Sequence, residues 1–199
     1  MTNDQLAALG IDAKWLKPLE DTFAKYDINT PKRQAAFIGQ CAHESNNFKT
    51  LEENLNYSAE GLMRVWHSRF PTLEVAQQYA RNPEKIANKV YGGRADLGNT
   101  EDGDGWRFSG KGVIQLTGRS NFTVCGDALG QPFTSQPELL LEPMWACMSA
   151  GWFFNKKGLN ALADNEDWTT ITKRINGGTL GLADRIEKTH KFAQILGIS

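Results

Sequence analysis

Apolar positions recur at helical spacing through most of the chain. From Asp12 to Tyr26, the residues Trp15, Leu16, Leu19 and Phe23 fall on one face. Thr30-Pro31 pairs a capping side chain with proline at the first helical position and opens a helix to about Asn46. Ser58 caps a helix through Phe70, and Asn82-Pro83 opens another. Pro143 begins the strongly apolar run "MWACMSAGWFF". Trp168, Ile171, Thr172 and Ile175 mark a further helix, stopped by Gly177-Gly178, and the last runs from about Leu182 to Leu196. Between Tyr91 and Gly118 the pattern changes. "YGGRADLGNTEDGDGWRFSGKG" is rich in glycine and turn residues, and "VIQLT" (Val113 to Thr117) then alternates like a short strand. These signals predict a mainly α fold of the α+β kind, two helical parts with a small β or loop element beside a central cleft.

Composition narrows the class. At 199 residues the chain is long enough for one sizeable core, so a single domain over 1–199 is expected, with the helical segment 1–29 packed on it. Lys and Arg number 22 against 23 Asp and Glu, for a net charge of −1, which leaves nucleic-acid binding by a basic face without support. Three widely spaced cysteines, Cys41, Cys125 and Cys147, suit neither a disulfide framework nor a zinc ribbon and are expected to be small buried thiols. The N-terminal "MTNDQLAALGIDAKW" lacks a secretory-signal pattern, and no stretch approaches the ~18 apolar residues of a membrane span.

The chemistry is in the carboxylates. On the helix from Pro31, Glu44 falls only about 20° from Phe37, two turns along the apolar face. It lies in the last turn, where the helix dipole disfavours negative charge, so dipole and partial desolvation would both favour the protonated form that a general acid requires. The plainer alternative is a glutamate at the rim of a buried face with its tip in water. Gly39 in mid-helix costs about 1 kcal/mol against Ala and is often a mark of close approach by something else.

The run "SNNF" predicts that the helix ends before Glu53 and that the chain turns back. In an extended segment Leu51, Glu53 and Leu55 share one face while Glu52, Asn54 and Asn56 share the other. Glu53, among apolar neighbours, is then the better candidate base. A protonated and an ionised carboxyl across a cleft are the machinery of glycoside hydrolysis.

Other residues fit such a cleft, each with an ordinary alternative. Gln115 and Thr117 point together if "VIQLT" is extended, to bind an acetamido group and hold a water, or simply to face solvent. Asn176 reads first as part of a helix C-cap, Trp106 and Tyr57 as core aromatics or sugar platforms, and Arg185 as a surface ion pair. "HES" is not H-E-x-x-H, and His43, His67 and His190 lack metal-ligand spacing, so neither a metal nor another cofactor is expected.

In order along the chain, "FIGQCAHES", Glu53, "GKGVIQLTGRSNF", "INGG" and "DRI" resemble the glycoside hydrolase family 19 chitinases, and more closely the family-19-type endolysins of phages and prophages of Gram-negative bacteria. The match runs from about Thr30 to the C-terminus. The resemblance implies a bilobal lysozyme-like fold and inverting hydrolysis, with Glu44 as general acid, Glu53 as general base, and Thr117 where the family holds the attacking water. It implies substrate-binding or charge-network roles for His43, Gln115, Asn121, Asn176 and Arg185, and more loosely for Tyr57 and Trp106. The stretch between the glutamates is shorter than in plant chitinases, and the cysteines do not follow a plant disulfide pattern.

The resulting expectation is a monomeric, muramidase-like endolysin acting on peptidoglycan glycan strands, without a separate wall-binding module. It is expected to be made in the host cytoplasm, to make no stable membrane insertion, and to reach the periplasmic wall after release by a separate holin. A chitinase, a lytic transglycosylase needing one carboxyl, and an inactive saccharide-binding module are the alternatives.

Overall fold

The structure, a computed structural model, describes residues 1–198. It is 61% helical, and the β-structure among the described residues amounts to two isolated bridges, so the mainly α reading holds. In chain order the helices begin with α1 (Asn3–Ala8), α2 (Leu16–Lys25), α3 (Pro31–Glu44) and α4 (Ala59–Val65). α5 (Leu73–Gln77), α6 (Pro83–Tyr91), α7 (Asp104–Arg107) and α8 (Arg119–Leu129) follow. α9 (Pro143–Lys156), α10 (Leu159–Asp164), α11 (Trp168–Asn176) and α12 (Leu182–Ile195) come last. The chain forms two compact units. One holds Met1–Leu51, Gly112–Gln115 and the residues from Leu139 on; the other holds Glu52–Lys111 and Leu116–Glu138.

In the first unit α3 is the axis. Every residue from Ala35 to Ala42 is buried, and α12, α10 and α9 all pack on it. Burial on all sides, rather than along one stripe, suits the apolar middle of this helix, where Gln40 is the one polar side chain and accepts from Arg185. Phe37 sits edge-on to Phe23 and Phe154, at centroid distances of 5.8 and 5.4 Å. Trp15, Leu19 and Phe23 turn inward as their spacing predicts, and α2 packs on α9. Pro31 opens α3 behind Thr30, whose hydroxyl accepts from the Arg33 amide at 3.3 Å.

α3 stops at Glu44, two residues before the expected end, in a left-handed run. Asn46, Asn47 and Phe48 take φ values of 49°, 55° and 63°. Such residues cost about 1–2 kcal/mol each, least for asparagine. Two features hold the run in place. Ser45 Oγ donates to the Cys41 carbonyl and accepts from the Phe48 amide, and the Phe48 ring is buried 5.1 Å from Trp15.

The second unit builds its own core from Leu55, Leu62, Phe70, Ile86 and Val90. Ser58 and Asn82 cap α4 and α6 through their side chains, as read from the sequence. α4, however, ends at Val65 and not at Phe70. On one continuous helix Phe70 would lie about 80° from Leu62. The chain instead turns at Trp66, whose carbonyl accepts from the amides of Arg69 and Phe70, and Phe70 is fully buried. α8 and several short helices, α1 and α5 among them, had no clear periodic signal.

"VIQLT" is also not a strand. Lys111 and Leu116 form a bridge through reciprocal backbone hydrogen bonds of 3.1 and 2.9 Å, and residues 112–115 are a turn. Gly112 and Gly118, at φ of 97° and 94°, let the backbone reverse on either side. The alternation came from the reversal itself: Ile114 and Leu116 are buried, Gln115 is exposed and Thr117 is half-buried. All three cysteines are buried thiols, as expected.

The mid-helix glycine has its reason. A Cβ on Gly39 would lie 2.3 Å from Thr189 Oγ1 and 2.9 Å from the Thr189 Cα, so α12 crosses α3 with backbone nearly touching backbone. Gly39→Ala gains about 1 kcal/mol of helix propensity but forces the two helices apart. A net loss of about 2 kcal/mol is expected, read as a lower urea midpoint at unchanged slope.

Candidate active site

The first unit gathers His43, Glu44 and Arg185. Arg185, on α12, is buried at 2% exposure, so the surface ion pair expected of it is wrong. Its Nη2 donates to Glu44 Oε1 at 2.5 Å, its Nη1 to Gln40 Oε1 at 2.7 Å, and its Nε to the Leu180 carbonyl at 3.3 Å. Local sequence could not show this, because the partners lie 141 to 145 residues away on α3. Gln40 stands one helical turn before Glu44, so one guanidinium spans both. Glu44 keeps a quarter of its side chain exposed, and among the described residues no hydrogen bond engages its second oxygen.

His43 points elsewhere. Its Nδ1 is 2.5 Å from Asp184 Oδ2, while the other Asp184 oxygen accepts from Lys188 at 2.5 Å. The Lys188 ammonium first, and then His43, hold the Asp184 carboxyl below the usual range, so it stays ionised. An ionised Asp184 orients the imidazole and favours a proton on Nδ1. Gly181 is pressed against this ring: a Cβ there would lie 2.4 Å from it. Asn176 is exposed at the end of α11, with Gly177 as the left-handed cap at φ of 77°, and Gln115 is exposed as well.

The second unit holds Glu53. The segment from Leu51 alternates in burial as the extended reading predicts, with Glu53 half-buried and Glu52 and Asn54 exposed. Tyr91 donates its hydroxyl to Glu53 Oε1 at 2.6 Å, and the Gly110 amide donates to Oε2 at 3.2 Å. The Glu53 amide in turn donates to the Gly110 carbonyl at 2.9 Å. Burial first, and then the hydrogen bond to Glu53, push the Tyr91 hydroxyl far above its ordinary range. Tyr91 is therefore a permanent donor. It lies 38 residues from Glu53, and its aromatic character alone did not mark it.

Nearby, Asn121 donates from its side chain to the Thr117 carbonyl at 2.8 Å, tying the first turn of α8 to the half-buried threonine. Tyr57 is half-buried, its ring 5.0 Å from Trp66 in an edge-to-face contact, which makes it partly core. Trp106 is 37% exposed, and its amide donates to Asn88 Oδ1 at 2.8 Å.

No family model matches the chain. A Haemophilus influenzae protein named as glycosyl hydrolase family 19 domain-containing is 37% identical over 154 residues, covering 77% of this chain and 74% of that one. An endochitinase of Arabidopsis thaliana is 27% identical over 187 residues; these are 90% of this chain but 54% of the plant protein, about half its length. Among solved structures, chitinase C from Streptomyces griseus matches all of this chain and 77% of its own, at a TM-score of 0.64 and 22% identity. A bacterial family 19 chitinase matches all of this chain and 95% of its own, at a TM-score of 0.72 and 17% identity. These two likenesses show the fold, which is the lysozyme-like one. This chain belongs to glycoside hydrolase family 19. It is a glycoside hydrolase.

Two outcomes test the geometry. Arg185→Lys keeps a charge but cannot reach Gln40, Glu44 and the Leu180 carbonyl together. A loss of about 3 kcal/mol in urea denaturation is expected from leaving buried polar partners unpaired. Tyr91 binds its proton more tightly folded than unfolded. Its share of stability is therefore complete below the ordinary tyrosine value of 10.0 and declines as pH rises above it. Melting temperatures from pH 9 to 11 should fall less steeply for Tyr91→Phe than for the wild type.

Proposed function

We propose that the protein is a peptidoglycan-cleaving endolysin, hydrolysing the β-1,4 bond between N-acetylmuramic acid and N-acetylglucosamine with inversion. Glu44 is the general acid, Glu53 the general base, and Thr117 holds the attacking water. The observation that carries the mechanism is the contrast between the two carboxylates. Glu53 accepts a neutral donor on each oxygen, which suits a base that enters the reaction ionised. Glu44 has one oxygen on Arg185, whose charge favours the carboxylate formed once the proton has left, and the other unengaged among the described residues, where a proton can be presented.

The sequence of events follows from these roles. Glu44 gives its proton to the glycosidic oxygen as that bond breaks, and the guanidinium beside it favours the carboxylate left behind. Glu53 takes a proton from water as the water oxygen bonds to the anomeric carbon from the opposite face. Neither an intermediate on the protein nor a second carboxylate nucleophile is needed, provided the two carboxyls stand roughly 6.5–9.5 Å apart. His43, Gln115, Asn121, Asn176, Tyr57 and Trp106 bind the saccharide around the scissile bond.

Peptidoglycan is favoured as substrate by the short stretch between the glutamates and by buried thiols in place of a plant-type disulfide pattern. In this reading the enzyme works as a monomer on glycan strands and meets them after a separate holin opens the way. Chitin is the second reading, supported by relatives that are named endochitinases.

Mass spectrometry of digested peptidoglycan separates the possibilities. Reducing muramic acid ends with oxygen from labelled water are expected; anhydro ends would mean a transglycosylase, and turnover of chitin oligomers alone would mean a chitinase. Glu44→Gln and Glu53→Gln should each lower kcat by at least about a hundredfold with the fold intact. Thr117→Val should lower it less, and an unchanged rate would remove the threonine from the mechanism.

A further inference from the structure

The second unit contains a cavity of about 330 Å³, and of its lining the mechanism above uses Trp106 alone. Glu52, Trp106, Arg107, Lys111 and Glu138 line it. Its charges are mixed. The Lys111 ammonium is nearly buried, bonded to Ser109 Oγ at 3.1 Å and 3.5 Å from Glu52. Arg107 donates to the carbonyls of Thr134 and Ser135, which fixes its guanidinium at the cavity wall. Glu138 is exposed, and among the described residues no hydrogen bond or ion pair engages its carboxylate.

Position limits what the cavity can hold. Glu52 precedes Glu53 in an extended segment, so their side chains leave opposite faces of the backbone. Glu53 faces Tyr91 and the Gly110 amide, whereas Glu52 faces the cavity. A molecule in the cavity therefore lies behind the base. An occupant joined to the glycan would then be a group that branches from it and reaches around the segment. Three residues of extended peptide span about 10 Å, enough for that path.

Chitin has no such branch; its appendages are neutral acetamides on the ring. Peptidoglycan carries on each muramic acid a short peptide with free carboxylates and a free ammonium. Building on the peptidoglycan reading above, we propose that this cavity is a subsite for the charged stem peptide. Glu138 and Glu52 receive its ammonium, Lys111 and Arg107 its carboxylate, and the exposed Trp106 ring covers its aliphatic part. The subsite would make the enzyme prefer peptide-bearing strands over bare ones.

The test compares wild type, Glu138→Gln and Glu138→Lys on three substrates: peptidoglycan fragments with stem peptides, the same glycan stripped by an amidase, and chitin oligomers. Glu138 is exposed, so its replacement leaves the core intact. On peptide-bearing fragments KM should rise about threefold for Gln and about tenfold for Lys, with kcat unchanged. On stripped glycan neither constant should move. The free stem tripeptide, titrated by NMR, should bind the wild type and not Glu138→Lys. If the wild type cuts peptidoglycan and the variants match it on every substrate, or lose equally on all, the subsite is wrong while the substrate reading stands. If the wild type cuts only chitin oligomers, the substrate reading falls and takes the subsite with it.

Discussion

A guanidinium with 2% of its side chain exposed must find partners within the fold, and in the first unit the relation of α3 to α12 depends on that demand. Arg185 takes Gln40 and Glu44 from α3 and the Leu180 carbonyl from its own approach loop. Leaving such a group unpaired costs several kcal/mol, so the three acceptors and the helix crossing are selected together. The crossing is close because Gly39 removes the one Cβ that would keep Thr189 away. Glu44, the proposed acid, is thus oriented by the contact that joins the two helices.

The second unit treats its carboxylate differently. Glu53 lies on extended backbone, and a phenol and an amide supply neutral donors in place of a guanidinium. The Gly110 amide reaches it because the Glu53 amide bonds back to the Gly110 carbonyl, a two-way link that sets the height of the side chain. The next residue, Lys111, anchors both bridges, pairing with Glu52 on one side and Leu116 on the other. Burial holds the Lys111 ammonium below its ordinary range, with Glu52 pulling the other way. Tyr91, Gly110 and Lys111 thus brace the segment that carries Glu53.

The left-handed run at Asn46–Phe48 joins these local solutions in sequence. Strain concentrated at three consecutive non-glycine residues persists only where surrounding contacts over-determine it. Ser45 and the buried Phe48 ring provide those contacts. The run ends α3 directly after Glu44, and within a few residues the chain is extended for Glu52 and Glu53. One short irregular segment therefore separates the two kinds of backbone that the proposed acid and base occupy.

Much of this was legible in the residues. Caps at Thr30, Ser58 and Asn82, the stop at Gly177 and the alternation from Leu51 to Asn56 are local effects, set by a side chain and the few residues beside it. The close approach implied by Gly39 and the burial of the cysteines were legible too, from residue type alone. The early end of α4, the turn in place of a strand at "VIQLT", the burial of Arg185, the acceptors Gln40 and Asp184 and the donor Tyr91 were decided only by the tertiary structure. Each depends on partners or a core far off in the chain, where one-dimensional periodicity carries no information. A buried charge or carboxylate takes its neighbours from whatever the packing brings within about 3 Å, and that distance is a property of the fold.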